Sequence, residues 1–398
     1  MERSKAERDK LFEEWLAENN SHIGEVSIPQ TGEYPVNLKN FYGSVVNEYI
    51  TTDLIRHYAD AHGDRNPLWR DENYAHKTRW GSIIAPPTFA DSLIQAYPYK
   101  FEPDKFEVFG GLFQMPTGSR RENFKPFRHG DKIHVVHKYL GMTELDTKLP
   151  APTREFDEAV ERWIYNQNDE LLSIVTTHNR CMYDMPFKPG LSWDSEAKKR
   201  RITDEQREEI FKGYANETRR GADTLYWEDV EIGEEYHLHP LGPYNEYDVI
   251  AFYTAMAGHA VAFELEWERV KEYPEFGWID PESNGFTSNG VCHVCDHKGH
   301  ADIFSNGCAM GFFMQMEGLL GRMICNWMGD DSFVTVMDTR SNYLPVLSEI
   351  ICCHGKVTGK RKENGKNLID LHICATSLEG RVWTEGTATV ELLSRTLR

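Results

Sequence analysis

The chain of 398 residues is poor in positive charge. Lys and Arg number 44 against 63 Asp and Glu, which gives a formal net charge of −19. Such an acidic surface repels nucleic-acid phosphates and anionic lipids, so it argues against a nucleic-acid-binding protein and against docking on an anionic membrane. A small ligand that carries phosphate is still compatible, because it needs only one local basic patch.

Long uncharged apolar runs are also missing. The longest apolar stretch, Cys308 to Met328, contains Glu317 and Arg322 and is expected to form a buried helix rather than a membrane span. The charged beginning of the chain lacks the apolar core of a secretory signal. Eight cysteines are ordinary usage, so we expect reduced thiols and a cytoplasmic protein.

The chain has enough apolar residues for more than one core. Hydrophobic residues make up 40% and aromatic residues 12%, and the length suggests two or three domains. Composition predicts an N-terminal helical extension at 1–41, compact domains at 42–186 and 223–398, and a linker at 187–222. Within the linker, Thr203 is expected to cap a helix from Asp204 to Asn216.

The two compact stretches repeat one order of patterns, in which a short helix and a loop precede an apolar helix and several strands. The short helices are predicted at Thr51–Ala61 and Glu246–Gly258, and the apolar helices at Pro87–Tyr97 and Gly307–Trp327. Strands are predicted at Lys132–Leu140, Arg162–Asn166, Leu172–Tyr183, Ser332–Asp338, Ile350–Thr358, Leu368–Thr376 and Val382–Leu392. This order predicts an α+β protein with antiparallel sheets and a duplicated domain.

The most specific motif is Gly63-Asp64-Arg65-Asn66-Pro67-Leu68, which Ala85-Pro86-Pro87-Thr88 follows at the start of the predicted apolar helix. It resembles the Gly-Asp-x-Asn-Pro signature of the MaoC-like hydratases. A Pro-x-x-x-Gly-Asp turn at Pro126, Gly130 and Asp131 fits the same family. The second half is less similar, and matches through Gly242-Pro243, Asp248 and Trp327-Met328-Gly329-Asp330. The resemblance covers most of residues 42 to 392.

This resemblance implies two fused hot-dog domains, each a long central helix wrapped by a curved antiparallel sheet, which together form a pseudo-dimer. It also implies a hydratase or dehydratase of the lyase class that acts on an enoyl-CoA or 3-hydroxyacyl-CoA. Coenzyme A would be part of the acyl-CoA substrate, with no separate cofactor. The many aromatic residues would allow a bulky or unusual acyl group, and homo-oligomerisation is left open.

The family chemistry depends on an Asp and a His, five residues apart, that share the reacting water by general acid–base catalysis. Here Asp64 and Asn66 are present, but Trp69 stands where the His is expected. An indole N–H can donate a hydrogen bond but cannot act as a base. We therefore expect Asp64, Asn66 and Trp69 to shape the substrate pocket. The alternative is that Asp64 and Asn66 only cap a local turn.

The second half is then expected to carry the acid–base groups. His259 stands where the Asp belongs, His293 lies near the expected His position, and Asp296 is the nearest carboxylate. We predict that His293 and Asp296, with His259, form the catalytic set, the alternative being surface or supporting roles. The same segment has a zinc-like spacing of Cys292, Cys295, His297, His300 and Cys308. Because no second Cys-x-x-Cys occurs, we predict no metal site.

Basic residues supply a candidate site for the phosphates of coenzyme A. Arg120 and Arg121 lie before the Gly130 turn, and a polar hairpin carries Lys356, Lys360 and Arg361. Either group is alternatively a solvated face. Two other functions stay open: a thioesterase of the same fold, and a non-catalytic subunit that binds an acyl thioester. Release of free thiol separates the thioesterase from the hydro-lyase.

Overall fold

The computed structural model describes residues 4–27, 47–94, 112–149, 151–185, 191–256, 263–272 and 277–396. Its strands are β1 (Val26–Ser27), β2 (Leu112–Asn123), β3 (His134–Leu145), β4 (Arg154–Tyr165), β5 (Leu171–Tyr183), β6 (Glu235–His237), β7 (Gly277–Ile279), β8 (Phe286–Ser288), β9 (Phe333–Ser341), β10 (Cys352–Glu363), β11 (Lys366–Thr376) and β12 (Val382–Leu392). Ten of them form one sheet in the order β1-β3-β4-β5-β2-β9-β12-β11-β10-β6, and β7 pairs with β8.

The sheet consists of two equivalent halves. In each half the short strand lies at the outer edge of the sheet and the first long strand lies at its centre. Strands β1, β2, β3, β4 and β5 therefore correspond, in this order, to β6, β9, β10, β11 and β12. The halves meet where β2 pairs with β9, from Gly118 opposite Arg340 to Glu122 opposite Val336. The predicted α+β class and antiparallel sheets are confirmed.

The helices are α1 (Lys5–Ser21), α2 (Thr52–Asp60), α3 (Glu72–Ala75), α4 (Asp204–Ala215), α5 (Glu246–Ala255), α6 (Glu264–Glu272), α7 (Ala301–Phe304) and α8 (Phe313–Met328). Helix α8 is buried along almost its whole length and packs on β2, β10, β11 and β12. It confirms the apolar helix predicted in the second half, although it begins later, at Phe313. Thr203 caps α4 through a capping box, as predicted.

The first half differs from the predicted central helix. Within the described part of Pro87–Tyr97 the chain forms only a 3-10 helix at Phe89–Ser92, and residues 95–97 lie outside the described residues. The Tyr58 hydroxyl donates to the Thr88 carbonyl at 3.0 Å and ties this turn to α2. The Pro86 and Thr88 carbonyls accept hydrogen bonds from the amides of Phe89 and Asp91, three residues later, as in a 3-10 helix.

Helix α1 packs against the inner face of the first half. Phe12 stacks on Tyr183 with ring centroids 4.0 Å apart and lies 5.3 Å from Phe156, while the Asn19 amide donates to the Tyr139 hydroxyl. Phe12 is fully buried. Thus α1 closes the end of this face that is far from α8. Among the described residues, no helix is both long and apolar enough to cross a membrane.

Candidate functional site

The signature segment of the first half forms a capped turn after α2. Gly63 has a φ of +61°, which turns the chain in a conformation that favours glycine. The Asp64 carboxylate accepts from the Asn66 amide at 2.9 Å, and the Asn66 side chain accepts from the Leu68 amide at 2.9 Å. Both side chains therefore support the local backbone, which was one of the two roles predicted for them.

Trp69 takes the position of the missing imidazole and binds the signature carboxylate. Its indole Nε1–H donates to Asp64 Oδ2 at 2.8 Å, and both side chains are buried. Burial raises the pKa of Asp64, although its hydrogen bonds to Asn66 and Trp69 oppose the rise. The indole cannot exchange a proton with this carboxylate, so the pair holds the turn together but lacks a base beside the acid.

The signature turn also joins the end of α8. The Asp330 carboxylate accepts from Asn66 Nδ2 at 2.9 Å and from the Tyr74 hydroxyl, and its carbonyl accepts from Trp80 Nε1 at 2.7 Å. A pocket opens here, with Asn66, Trp69 and Asp330 among its lining residues. Most of the other lining side chains are apolar, so this pocket suits an apolar part of a ligand better than it suits the reacting atoms.

His293 lies at the start of α8 in the second half. It ends a 3-10 helix (Asn289–His293), and its ring stacks on Phe312 with centroids 3.8 Å apart. Its Nδ1 lies 2.8 Å from the Met310 carbonyl oxygen, which can only accept a hydrogen bond. Nδ1 therefore carries the proton, and Nε2 keeps its lone pair. Burial lowers the pKa of His293 to about 4, so the ring is neutral near pH 7.

The beginning of α8 offers free amide groups beside this imidazole. Phe312 is the N-cap residue, and no described side chain caps the helix. The first amides of a helix lack partners within the helix and carry partial positive charge. At Gly311 the chain passes the Tyr244 ring so closely that a Cβ would lie 2.5 Å from its hydroxyl oxygen. Glycine at 311 is thus needed for this close packing of the helix start.

Asp296 does not pair with His293, so the predicted catalytic pair is corrected. Its carboxylate accepts from Lys199 Nζ at 2.6 Å and from the Ala309 amide at 2.8 Å. Burial acts to raise the pKa of Asp296, but these two partners outweigh it and lower the pKa. The carboxylate is engaged in holding the loop before α8. His259, the third predicted member, lies outside the described residues.

His300 is the second imidazole beside His293. Burial lowers its pKa to about 4, and His293, within electrostatic range, adds a smaller contribution in the same direction. From the sequence, His300 is expected only as a member of the zinc-like spacing. Its position three residues beyond His297 was visible, but nothing in the sequence distinguished which histidine turns inward.

The two arginines predicted to bind phosphate have different surroundings. Arg121 is buried and donates to Asp91 at 2.8 Å and to Glu317 at 2.8 Å. It cannot reach a phosphate at the surface, so that prediction is wrong for Arg121. Arg120 points to the other face of β2, is partly exposed, and pairs with Glu122 and Asp338. Its carboxylate neighbours offset its charge.

The zinc-like spacing does not produce a cluster in the described structure. Among the described residues, no group of three or more His, Cys, Asp or Glu side chains is placed to hold a metal ion. Cys292 is buried, and burial raises the pKa of its thiol to about 12. His297 bonds Asp302 at 2.9 Å. The basic hairpin is likewise paired, with Lys356 on Glu235 and Lys366 on Glu391.

Comparison with known proteins agrees with this architecture. Residues 40–172 match the family model of the FAS1-like dehydratase domain region. No curated protein matches the sequence significantly. The match covers the signature turn, β2, β3, β4 and the beginning of β5.

Solved structures extend the likeness to nearly the whole chain. A MaoC-like dehydratase shares 16% identity with a TM-score of 0.57, covering 94% of this chain and 99% of its own. A MaoC domain dehydratase from Chloroflexus aurantiacus shares 12% (TM-score 0.52; 94% and 96%). A conserved protein from Mycobacterium tuberculosis with a double hot-dog fold shares 10% (TM-score 0.51; 93% and 96%).

At these identities the likeness to solved structures establishes the fold. The sheet order, the buried α8 and the matched neighbours define a double-hot-dog protein. Residues 40–172 match the FAS1-like dehydratase model, and the fold of the whole chain is similar to that of solved MaoC-like dehydratases. The predicted resemblance is thereby confirmed.

Proposed function

We propose that the protein is a hydro-lyase that adds water to, or removes it from, an acyl thioester, with an enoyl-CoA or 3-hydroxyacyl-CoA as substrate. The observation that carries the proposal is the neutral imidazole of His293 at the uncapped start of α8. The family model over residues 40–172 supports the reaction class. Acid–base groups and an oxyanion site are the two parts that this reaction needs.

The proposed reaction uses the two features in one step. In the direction of hydration, His293 Nε2 takes a proton from water while the water oxygen bonds to Cβ of the enoyl group. The electrons of the double bond move towards the thioester carbonyl, where the amides at the start of α8 stabilise the negative charge. The imidazolium then returns a proton to Cα. The dehydration follows the same path in reverse.

The partner of His293 differs from the carboxylate of the family signature. Asp296 is occupied by Lys199 and the Ala309 amide, and His300 is the neighbouring titratable group within the described residues. We propose His293 as the principal acid–base group, while Asp64 in the other half supports the fold. His259 remains a candidate second group from the sequence alone.

The first test compares His293→Ala with Asp64→Asn. Turnover of crotonyl-CoA and of a cinnamoyl-CoA would be followed by loss of enoyl absorbance, together with release of free thiol. His293→Ala should lower kcat/KM about a hundred- to ten-thousandfold, the usual contribution of a general acid–base group. His372→Ala, at an exposed position on β11, is the matched control and should keep full activity.

The pH profile gives a second reading of the same assay. Because burial lowers the pKa of His293 to about 4, kcat/KM should fall only as the pH drops towards that value, well below the usual 6.5 of histidine. If Asp64→Asn stays folded yet loses activity while His293→Ala keeps it, the assignment of the active half is wrong. Stoichiometric free thiol without hydration would identify a thioesterase instead.

A further inference from the structure

The register of the sheet places a set of polar side chains on the inner face of the first half. His137 lies opposite Arg162, Val175 lies between Arg162 and Arg121, and Glu158 lies opposite Asn179. All of the polar members are at least 98% buried. We refer to them as the polar belt, which comprises Arg121, His137, Glu158, Arg162 and Asn179.

The second half has apolar residues at equivalent places in the same row of the sheet. Continuing from Arg121 across the junction, the row passes through Met337, Ala388, Leu371 and Val357. These four residues lie on β9 and on β10, β11 and β12, which are three of the four strands on which α8 packs, and all are buried. In this half the row is apolar, so the fold itself does not require polar groups there.

Several atoms of the polar belt are buried without a hydrogen-bond partner in the described structure. They are both amide atoms of Asn179, Nε2 of His137, Oε2 of Glu158, and Nε and Nη1 of Arg121. A buried polar atom without a hydrogen-bond partner destabilises the folded protein. A set of them on one face indicates a place where another molecule supplies the missing hydrogen bonds.

The charges around the polar belt are already balanced. Arg121 contacts both Asp91 and Glu317, and Arg162 lies within electrostatic range of Asp91. Burial raises the pKa of Glu158 to about 8, so it is protonated at neutral pH. Burial also holds the pKa of His137 well below its usual value, so its ring is neutral. A further charge would therefore lack a counterion.

The buried atoms without a partner require a ligand that both donates and accepts hydrogen bonds. The amide nitrogen of Asn179 and the two nitrogens of Arg121 donate, while the amide oxygen of Asn179 accepts. A hydroxyl group has one donor and two acceptor sites and no charge, so it matches this mixture better than a methyl group or a carboxylate.

We propose that the polar belt binds a hydroxyl group on the acyl chain, remote from the thioester. This inference rests on the proposed function, which places the thioester at the start of α8. His293 stacks on Phe312, and Glu317, five residues further along α8, bonds Arg121 of the polar belt. At 1.5 Å per residue, the start of α8 and the Arg121 end of the polar belt are about 8 Å apart along the helix, within reach of a medium-length acyl chain.

The test measures binding of three acyl-CoAs of similar length by isothermal titration calorimetry. The probes are ω-hydroxyoctanoyl-CoA, nonanoyl-CoA, in which a methyl replaces the hydroxyl, and octanedioyl-CoA, which ends in a carboxylate. The wild-type protein should bind the hydroxyl probe about tenfold more tightly than nonanoyl-CoA, as one or two hydrogen bonds provide. Equal affinities, or tightest binding of the carboxylate probe, would overturn the proposal.

Asn179→Leu is the diagnostic variant, because Leu has the same shape and removes both unmet atoms. It should lose the preference for the hydroxyl probe and melt at the same or a higher temperature. Thr176→Val, whose side chain points to the opposite face of β5, is the control and should keep the preference. Retention of the preference in Asn179→Leu would place the hydroxyl elsewhere.

A failure of the proposed function can be distinguished from a failure of the proposal that the polar belt binds a hydroxyl group. If no acyl-CoA binds the wild-type protein, octane-1,8-diol replaces the probes. Binding of the diol that Asn179→Leu abolishes would support the polar belt alone, and no binding would refute it. A crystal soaked with the hydroxyl probe that shows only ordered water at Asn179 would also refute it.

Discussion

Glu158 provides a direct test of the buried interior of the first half. It is 1% exposed, and burial raises the pKa of its carboxyl from an ordinary 4.5 to about 8. Between these two values the unfolded chain loses the proton while the folded protein keeps it. The unfolded state then binds fewer protons, so the free energy of unfolding falls as the pH rises. The loss begins near pH 4.5 and is complete above about pH 8.

The size of this effect follows from the same two pKa values. At 1.36 kcal/mol for each pH unit, the interval corresponds to about 5 kcal/mol as an upper limit. Glu158→Gln keeps the shape and removes the titration. The variant should match the wild type below pH 4.5 and exceed its free energy of unfolding by about 2–5 kcal/mol at pH 9.

Urea unfolding at several pH values between 4.5 and 9 measures this difference. Glu161→Gln, on the outward face of the same strand, is the control and should follow the wild-type curve. Parallel curves for Glu158→Gln and the wild type would show that Glu158 is ionised in the folded protein. The charge balance argued for the polar belt would then be wrong.

Two further predictions concern buried polar contacts, one between the halves and one within the first half. Glu317 accepts from Arg121, Ser119 and Thr339, so Glu317→Gln should lower the free energy of unfolding by about 3–5 kcal/mol, measured by urea denaturation; a change below 1 kcal/mol would contradict a buried ion pair. Trp69→Phe removes the donor to Asp64 and should cost about 1–3 kcal/mol by the same measurement, and an unchanged stability would mean that this hydrogen bond adds nothing.

The sequence predicted the elements whose patterns are regular. The buried helix of the second half, the capped linker helix and the closing strands follow from apolar periodicity and local capping, which act over short distances. Strand β2 is not among the predicted strands, and its Pro116 is a residue that central strands usually exclude. In the structure a change of register between Pro116 and Gly118 accommodates the proline and lets the strand continue to the junction with β9.

The sequence predicts the candidate site only where the type of a residue alone decides what it can do chemically. Trp69 in place of histidine removes a base wherever it lies, and the structure places its indole on Asp64. The partners of Asp296 depend on Lys199, almost a hundred residues earlier, and no spacing rule links the two. Arg121 was expected at the surface because charged residues are usually exposed, but its two carboxylate partners come from other segments.

The two halves share one sheet order but differ in what covers their inner faces. In the second half α8 fills the face with apolar side chains and presents its first turn to His293. In the first half the described part of the corresponding segment forms a single 3-10 turn, and the face below it carries the polar belt. Under the two proposals made above, the duplicated fold would separate two tasks. The start of α8 in the second half would carry the acid–base chemistry, and the polar belt of the first half would recognise the acyl chain.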